Sequence, residues 1–285
     1  MIRPETYFVE AGSGPGVVCL HSNASTSAQW RHLTATLAPS FHVLAVDSYG
    51  AGGSPEWPSD RFITLSDEAD LVEPVLSKAG LPFALVGHSY GAAVALIAAL
   101  RNPDRVRAMA LYEPTLFGLV DTEHARPNDA DGIRNAVADA VIALQARDEL
   151  GAAERFVDYW SGPGSWARMP ANRQKIVAAS TMNVGRWAHA LFTEPTALSA
   201  FRSLEVPVLY MLGKCSTASA LAVARILTSA LPRVEVVEFD GLGHMGPLSH
   251  PNVVNEVVSE FLLRNHSVLG REQAQNGHMK RHTST

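Results

Sequence analysis

The chain has 285 residues, 47% of them apolar and 18% charged, with a formal net charge of −5. That is enough apolar matter for one large core with an insertion, or for two small domains, and the mild acidity offers no basic footprint for nucleic acid or an anionic membrane. No apolar run approaches the roughly 18 residues of a membrane span, and the first residues, MIRPETYFVEAG, hold no apolar signal region, so the expected setting is the cytoplasm.

The first strand-like run is GVVCL, residues 16–20. It contains Cys19; with Cys215 as the other cysteine, and no Cys-x-x-Cys or His-Glu-x-x-His, neither a disulfide framework nor a structural metal is expected. Residues 27–38 follow with helical spacing at Trp30, Leu33 and Leu37. FHVLAV, 41–46, is the next strand, and the Gly- and Pro-dense DSYGAGGSPEWPSD is a loop. A helix is predicted over 65–79, kinked or shortened by Pro74. FALVG, 83–87, is a strand, and the helix after it, YGAAVALIAALRN, is apolar nearly all round and so buried on most faces. VRAMALY, 106–112, is a strand again.

From 117 to 200 no strand pattern appears, while GIRNAVADAVIALQARDEL and AERFVDYW read as helices and Trp160, Trp166 and Trp187 fall in the same segment. Strand and helix then resume with VPVLYML (206–212), a helix over 219–230, VEVVEF (234–239) and a last helix near 252–263. Continuous apolar strands alternating with helices give an α/β fold with a mostly parallel central sheet flanked by helices. Its core is expected over 1–116 and 201–265, with 117–200 as an inserted helical cap over the carboxyl edge of the sheet, where open α/β folds bind ligands. The tail, 266–285, is polar and aperiodic and is expected to lack regular structure, its His266, His278 and His282 solvated rather than metal-bound.

The most informative stretch is LVGHSYGAA. Gly87-His88-Ser89-Tyr90-Gly91 is a G-x-S-x-G between a strand and a helix, the context that turns a common pattern into a nucleophile elbow. A sharp turn at Ser89 requires neighbours without bulk, and the helix N-terminus beside it can face a developing oxyanion. Later, FDGLGHMGPLSHP sets His244 among glycines after the last strand, where an imidazole could take the Ser89 proton.

On these residues the chain resembles the α/β-hydrolases with a helical cap, over about 5–265. The resemblance implies His244 as the catalytic base. It implies an oxyanion hole from the backbone N–H groups of Asn23, in HSNAS, and Tyr90; Ser22 stands where the family usually has Gly. It implies no acid–base role for His21, which reads as structural, as do Asp47 in the glycine loop and His250 beside Pro251.

The acid is the open question. The family most often places it after the strand that ends here at Leu212, but no carboxylate occurs from 206 to 234. Glu113 follows the preceding strand, whose end lies roughly 5 Å away across a parallel sheet, and haloalkane dehalogenases resemble this placement, although they use an Asp nucleophile. Glu113 is therefore expected as the acid, with Asp121, Asp240 or an acid-free dyad as alternatives. Together these readings point to a serine hydrolase of a small carboxylic ester, lactone or thioester, working without a cofactor on a small-molecule substrate. Apolar cap residues Trp160, Trp166, Leu191 and Phe192 are candidates for the pocket or for the cap's own core. A carbon–carbon bond hydrolase of a vinylogous diketone and a non-catalytic small-ligand receptor are the alternatives.

Overall fold

A computed structural model describes residues 5–281, with side chains through residue 266. Its strands are β1 (Phe8–Ala11), β2 (Gly16–Leu20), β3 (His42–Val46), β4 (Phe83–His88), β5 (Val106–Tyr112), β6 (Val208–Gly213) and β7 (Val234–Phe239), in one sheet of order β1-β3-β2-β4-β5-β6-β7. Every pairing is parallel except β1 with β3. Six of these strands match the apolar runs to within two residues; β1, four residues long and half-exposed, was not expected. It carries Glu10 at its centre, so no apolar pattern marks it.

The helices are α1 (Arg31–Leu37), α2 (Leu65–Lys78), α3 (Tyr90–Arg101), α4 (Phe117–Glu123), α5 (Asp131–Gln145), α6 (Glu149–Ser161), α7 (Ser165–Arg168), α8 (Ala171–Thr181), α9 (Val184–Phe192), α10 (Leu198–Phe201), α11 (Ala218–Ala230), α12 (Gly246–Ser249) and α13 (Pro251–Arg281). Helix α2 starts on a reciprocal cap between Thr64 and Asp67 and runs past Pro74 instead of stopping there. Pro74 lies on the exposed face, where water can satisfy the carbonyl it leaves free, while Leu71, Val72, Val75 and Leu76 hold the other face in the core. The backbone of α13 continues through most of the polar tail. His266 packs edge-on against Phe41; residues 282–285, and the side chain of His278, lie outside the described residues.

Alternation along the strands sorts the core into two layers. Val18, Leu20, Leu85, Met109, Leu111 and Tyr210 face one side with α2, α3 and α11. Val17, Cys19, Ala84, Val86, Ala108 and Leu209 face the other with α1 and α13. Both faces being covered, β2, β4, β5 and β6 are buried along their whole length. Among the described residues, the segment from α4 to α10 contains helices and no strand, and it enters and leaves the sheet between β5 and β6. No helix of the described residues is long and apolar enough to cross a membrane.

Candidate active site

Three polar side chains meet at the carboxyl edge of the sheet: Ser89 after β4, Glu113 after β5 and His244 in the loop after β7. Ser89 is the single residue between β4 and α3, at φ 55° and ψ −116°, a conformation that costs an L-residue energy and persists only where packing enforces it. The flanking glycines make the enforcement possible: a Cβ on Gly91 would stand 2.3 Å from the Leu20 carbonyl oxygen, and one on Gly87 2.5 Å from the Ala92 backbone. The Ser89 N–H donates to the Tyr112 carbonyl at 2.9 Å, tying the elbow to β5.

His244 follows β7, and its Nε2 lies 2.9 Å from Ser89 Oγ. Its Nδ1 lies 2.6 Å from Glu113 Oε2. With Nδ1–H donating to the carboxylate, Nε2 is left as the acceptor for the serine hydroxyl. Glu113 is fully buried and holds φ 44°, which turns its side chain back along the sheet edge. Its Oε1 accepts from the Gly213 N–H at 2.8 Å, and its Oε2 also accepts from Ser216 Oγ at 2.6 Å. The stretch without a carboxylate thus supplies two donors to a carboxylate from the next strand. Cys215, beside Ser216, is exposed.

The alternative acids point elsewhere. Asp121 pairs with Arg134 at 2.5 Å and accepts from Asn128. Asp240 is exposed and pairs with Lys214 at 2.9 Å. His21 is neutral, its pKa lowered first by burial; Nδ1–H donates to the Ser22 carbonyl, and Nε2 accepts from the Ser48 N–H. Asp47 accepts from the N–H groups of Ser27 and Gly53 and pins its glycine loop. His250 is exposed and reaches only Ser249.

A second layer of polar groups was not legible beforehand. His88, the variable residue of the elbow, donates from Nε2 to the His244 carbonyl at 2.8 Å and accepts at Nδ1 from Gln29. Burial first, and His244 second, hold its pKa well below the ordinary imidazole range, so it is neutral. Gln29 Oε1 in turn accepts from both the N–H and the hydroxyl of Ser22. One chain of hydrogen bonds therefore runs from the Ser22–Asn23 loop to the loop that carries His244. Tyr112 OH adds a bond to the Gly243 carbonyl at 2.8 Å.

A cavity of about 110 Å³ opens above Ser89 and His244. Asn23 and Ser89 form its floor, and Trp160, Leu191, Phe156 and Val184 are among its apolar walls. The indole of Trp160 stacks on the His244 imidazole, centroids 3.9 Å apart and planes at 25°. Trp166 and Phe192 do not line the cavity. Trp166 is buried among Ala153 and Ala178 inside the helical segment, and Phe192 packs between Phe117 and the Arg134 guanidinium. All are helical aromatics, and only the packing of each helix against its neighbours separates wall from core. Tyr90 opens α3, and its side chain turns away to donate to Glu68, so only its backbone can face the cavity. Among the described residues no group of three or more His, Cys, Asp and Glu could hold a metal ion.

A family model described as alpha/beta hydrolase fold matches residues 15–251. A 2-hydroxymuconate semialdehyde hydrolase of Pseudomonas sp. (strain CF600) is 30% identical over 262 residues, 88% of this chain and 84% of that protein. The likeness to a haloalkane dehalogenase of Agrobacterium fabrum is local: 41% identity over 113 residues, 39% of this chain and 36% of that one. Methyl ester esterases also stand among the relatives. The crystal structure of an alpha/beta hydrolase from Sphaerobacter thermophilus superposes with a TM-score of 0.71 at 26% identity, covering 90% of this chain and 96% of that one.

Proposed function

Because this chain belongs to the α/β-hydrolase fold family and is a hydrolase of that fold, we propose that it cleaves a small carboxylic ester through an acyl-enzyme on Ser89. The observation that carries this reading is the continuous path Ser89 Oγ–His244–Glu113, at 2.9 and 2.6 Å, beneath an apolar cavity.

Ser89 Oγ attacks the ester carbonyl as its proton passes to His244 Nε2. Glu113, already bonded to Nδ1–H, faces the imidazolium that forms, and Trp160 stacks its π-face on the same ring. The carbonyl oxygen becomes an oxyanion and takes the backbone N–H groups of Asn23 and Tyr90. The ester C–O bond then breaks, and the alcohol leaves with the proton held by His244. Water repeats the attack on the acyl-enzyme, giving its proton to His244; the acid departs and Ser89 recovers its hydrogen. The segment 117–200 acts as the cap that closes the site, and the two free cysteines suit the cytoplasm.

A second reading, hydrolysis of a carbon–carbon bond in a vinylogous diketone, has its own support in the 2-hydroxymuconate semialdehyde hydrolase likeness. A panel of short esters, a lactone and a ring-cleavage diketone distinguishes the two. Ester turnover that disappears in Ser89→Ala sustains the ester reading; diketone turnover with inert esters replaces it.

A further inference from the structure

The chain is acidic overall, yet residues 159–193 hold Arg168, Arg173, Lys175 and Arg186 and neither Asp nor Glu. Elsewhere the arginines tend to find carboxylates: Arg101 with Asp70, Arg105 with Glu73, Arg134 with Asp121, Arg225 with Asp129. Arg173, like Arg147, Arg186 and Arg202, has no carboxylate partner among the described residues, and its side chain is exposed. It lines the cavity above Ser89, and among the described residues its guanidinium has no ion-pair or hydrogen-bond partner. Arg168, beside it, reaches only the Ser165 hydroxyl and the Pro163 carbonyl. The two share an adjoining groove that meets the cavity at Ser161 and Met169. A cation at the mouth of an apolar cleft concentrates anions there, and a guanidinium matches a carboxylate with two parallel bonds.

A second, independent feature lies deeper in the same cavity. Thr115, two residues beyond Glu113, is 1% exposed. Its Oγ1 has no hydrogen-bond partner, and it is part of the cavity wall. A buried hydroxyl left without a partner is unfavourable in the free protein, so a hydroxyl in this position is suited to meet one on a ligand.

We propose that the substrate is an ester bearing a free carboxylate, which pairs with Arg173 at the cavity mouth while Thr115 Oγ1 hydrogen-bonds a polar atom of the substrate inside. This assignment rests on the ester-hydrolase reading above. It makes Arg173 and Thr115 determinants of specificity, Arg173 by charge and Thr115 by a hydrogen bond that only bound substrate completes.

The test compares monomethyl glutarate with methyl 5-methylhexanoate, near-isosteric esters with and without a carboxylate. The wild type should favour the anionic ester by about tenfold or more in kcat/KM. The preference should shrink between about 20 mM and about 500 mM NaCl, where charge attraction is screened. Arg173→Glu should bring the ratio to about one or below, through KM. Thr115→Val should raise KM for monomethyl glutarate several-fold without lowering the melting temperature, and Thr115→Ser should restore it. A wild-type ratio near one, or a ratio unmoved by Arg173→Glu, overturns the carboxylate assignment. An unchanged KM in Thr115→Val overturns the hydroxyl's part. Ser89→Ala separates the two levels of inference. If it still turns over the esters, or if the wild type turns over neither, the parent reading has failed; if it is inert and the Arg173 ratio is unmoved, only the substrate class has failed.

Discussion

The edge of the sheet and the helices inserted above it are built to different tolerances. β2, β4, β5 and β6 have every residue buried, and their ladders set each strand end against the next. Ser89 and Glu113 directly follow β4 and β5 of that frame, and His244, in the loop after the half-exposed β7, reaches them at 2.9 and 2.6 Å. The helices α4, α9 and α10 share the main core, but parts of α5, α6, α7 and α8 pack around small alanine-rich clusters, and Ile142, Leu150, Ile176 and Met182 are exposed. In the proposed reading the chemistry belongs to the part that packing makes rigid, and the choice of what enters belongs to the part where side chains can change at little cost to the fold.

The contrast can be broken at its strongest point first. Glu113→Gln should lower kcat by roughly 10⁴, because the amide no longer fixes the His244 tautomer or faces the imidazolium. Steady-state rates on any turned-over ester read this, and near wild-type rates would remove Glu113 from the reaction. Gly91→Ala should cost about 3 kcal/mol or more of stability, since its Cβ would sit 2.3 Å from the Leu20 carbonyl oxygen. Denaturant unfolding measures it; a loss below about 1 kcal/mol would mean that α3 can draw back from β2, and that the frame is softer than its packing implies.

A third substitution probes a buried titratable group. Burial pushes the Glu68 carboxyl up from 4.5 to about 8. The native chain therefore keeps a proton that the unfolded chain releases, and stability declines as pH rises from about 4.5 through about 8. Unfolding free energies from pH 5 to 9 should fall by a few kcal/mol more in the wild type than in Glu68→Gln. Parallel curves would show that Glu68 is ionised at no cost in the native core. The smallest effect belongs to the inserted helices. Ile176→Ser, at a residue 68% exposed, should change stability by no more than about 0.5 kcal/mol. A loss above about 1 kcal/mol would show that α8 is packed as tightly as the sheet, and the comparison would fail.

Much of the frame was legible because its signals are local. Apolar runs of five to seven residues gave β2, β4, β5 and β7 close to their ends. Paired glycines around Ser89 marked the turn, and the absence of acids from 206 to 234 directed attention to Glu113. The edge strand β1 was not legible, since one exposed face and a central Glu10 leave too little apolar pattern. Nor was Pro74 decisive: a proline breaks a helix only where nothing else satisfies the freed carbonyl, and α2 turns that side to water. The non-catalytic receptor alternative fell to the named hydrolases and esterases among the relatives rather than to any residue pattern.

By itself the sequence determined the layered α/β order, the elbow at Ser89 and the histidine after the last strand, because periodicity, turn chemistry and glycine steric limits act within a few residues. Only the tertiary structure decided that Glu113 meets His244 across 131 positions of chain, that Ser216 and Gly213 donate to it, and that Gln29 and His88 tie two loops together. It also decided that Trp160 covers the imidazole while Trp166 stays in the core of the inserted helices. Two tryptophans six residues apart carry no local difference that tells wall from core. What separates them is how α6 and α7 pack with their neighbouring helices, which turns Trp160 onto His244 and Trp166 onto Ala153 and Ala178.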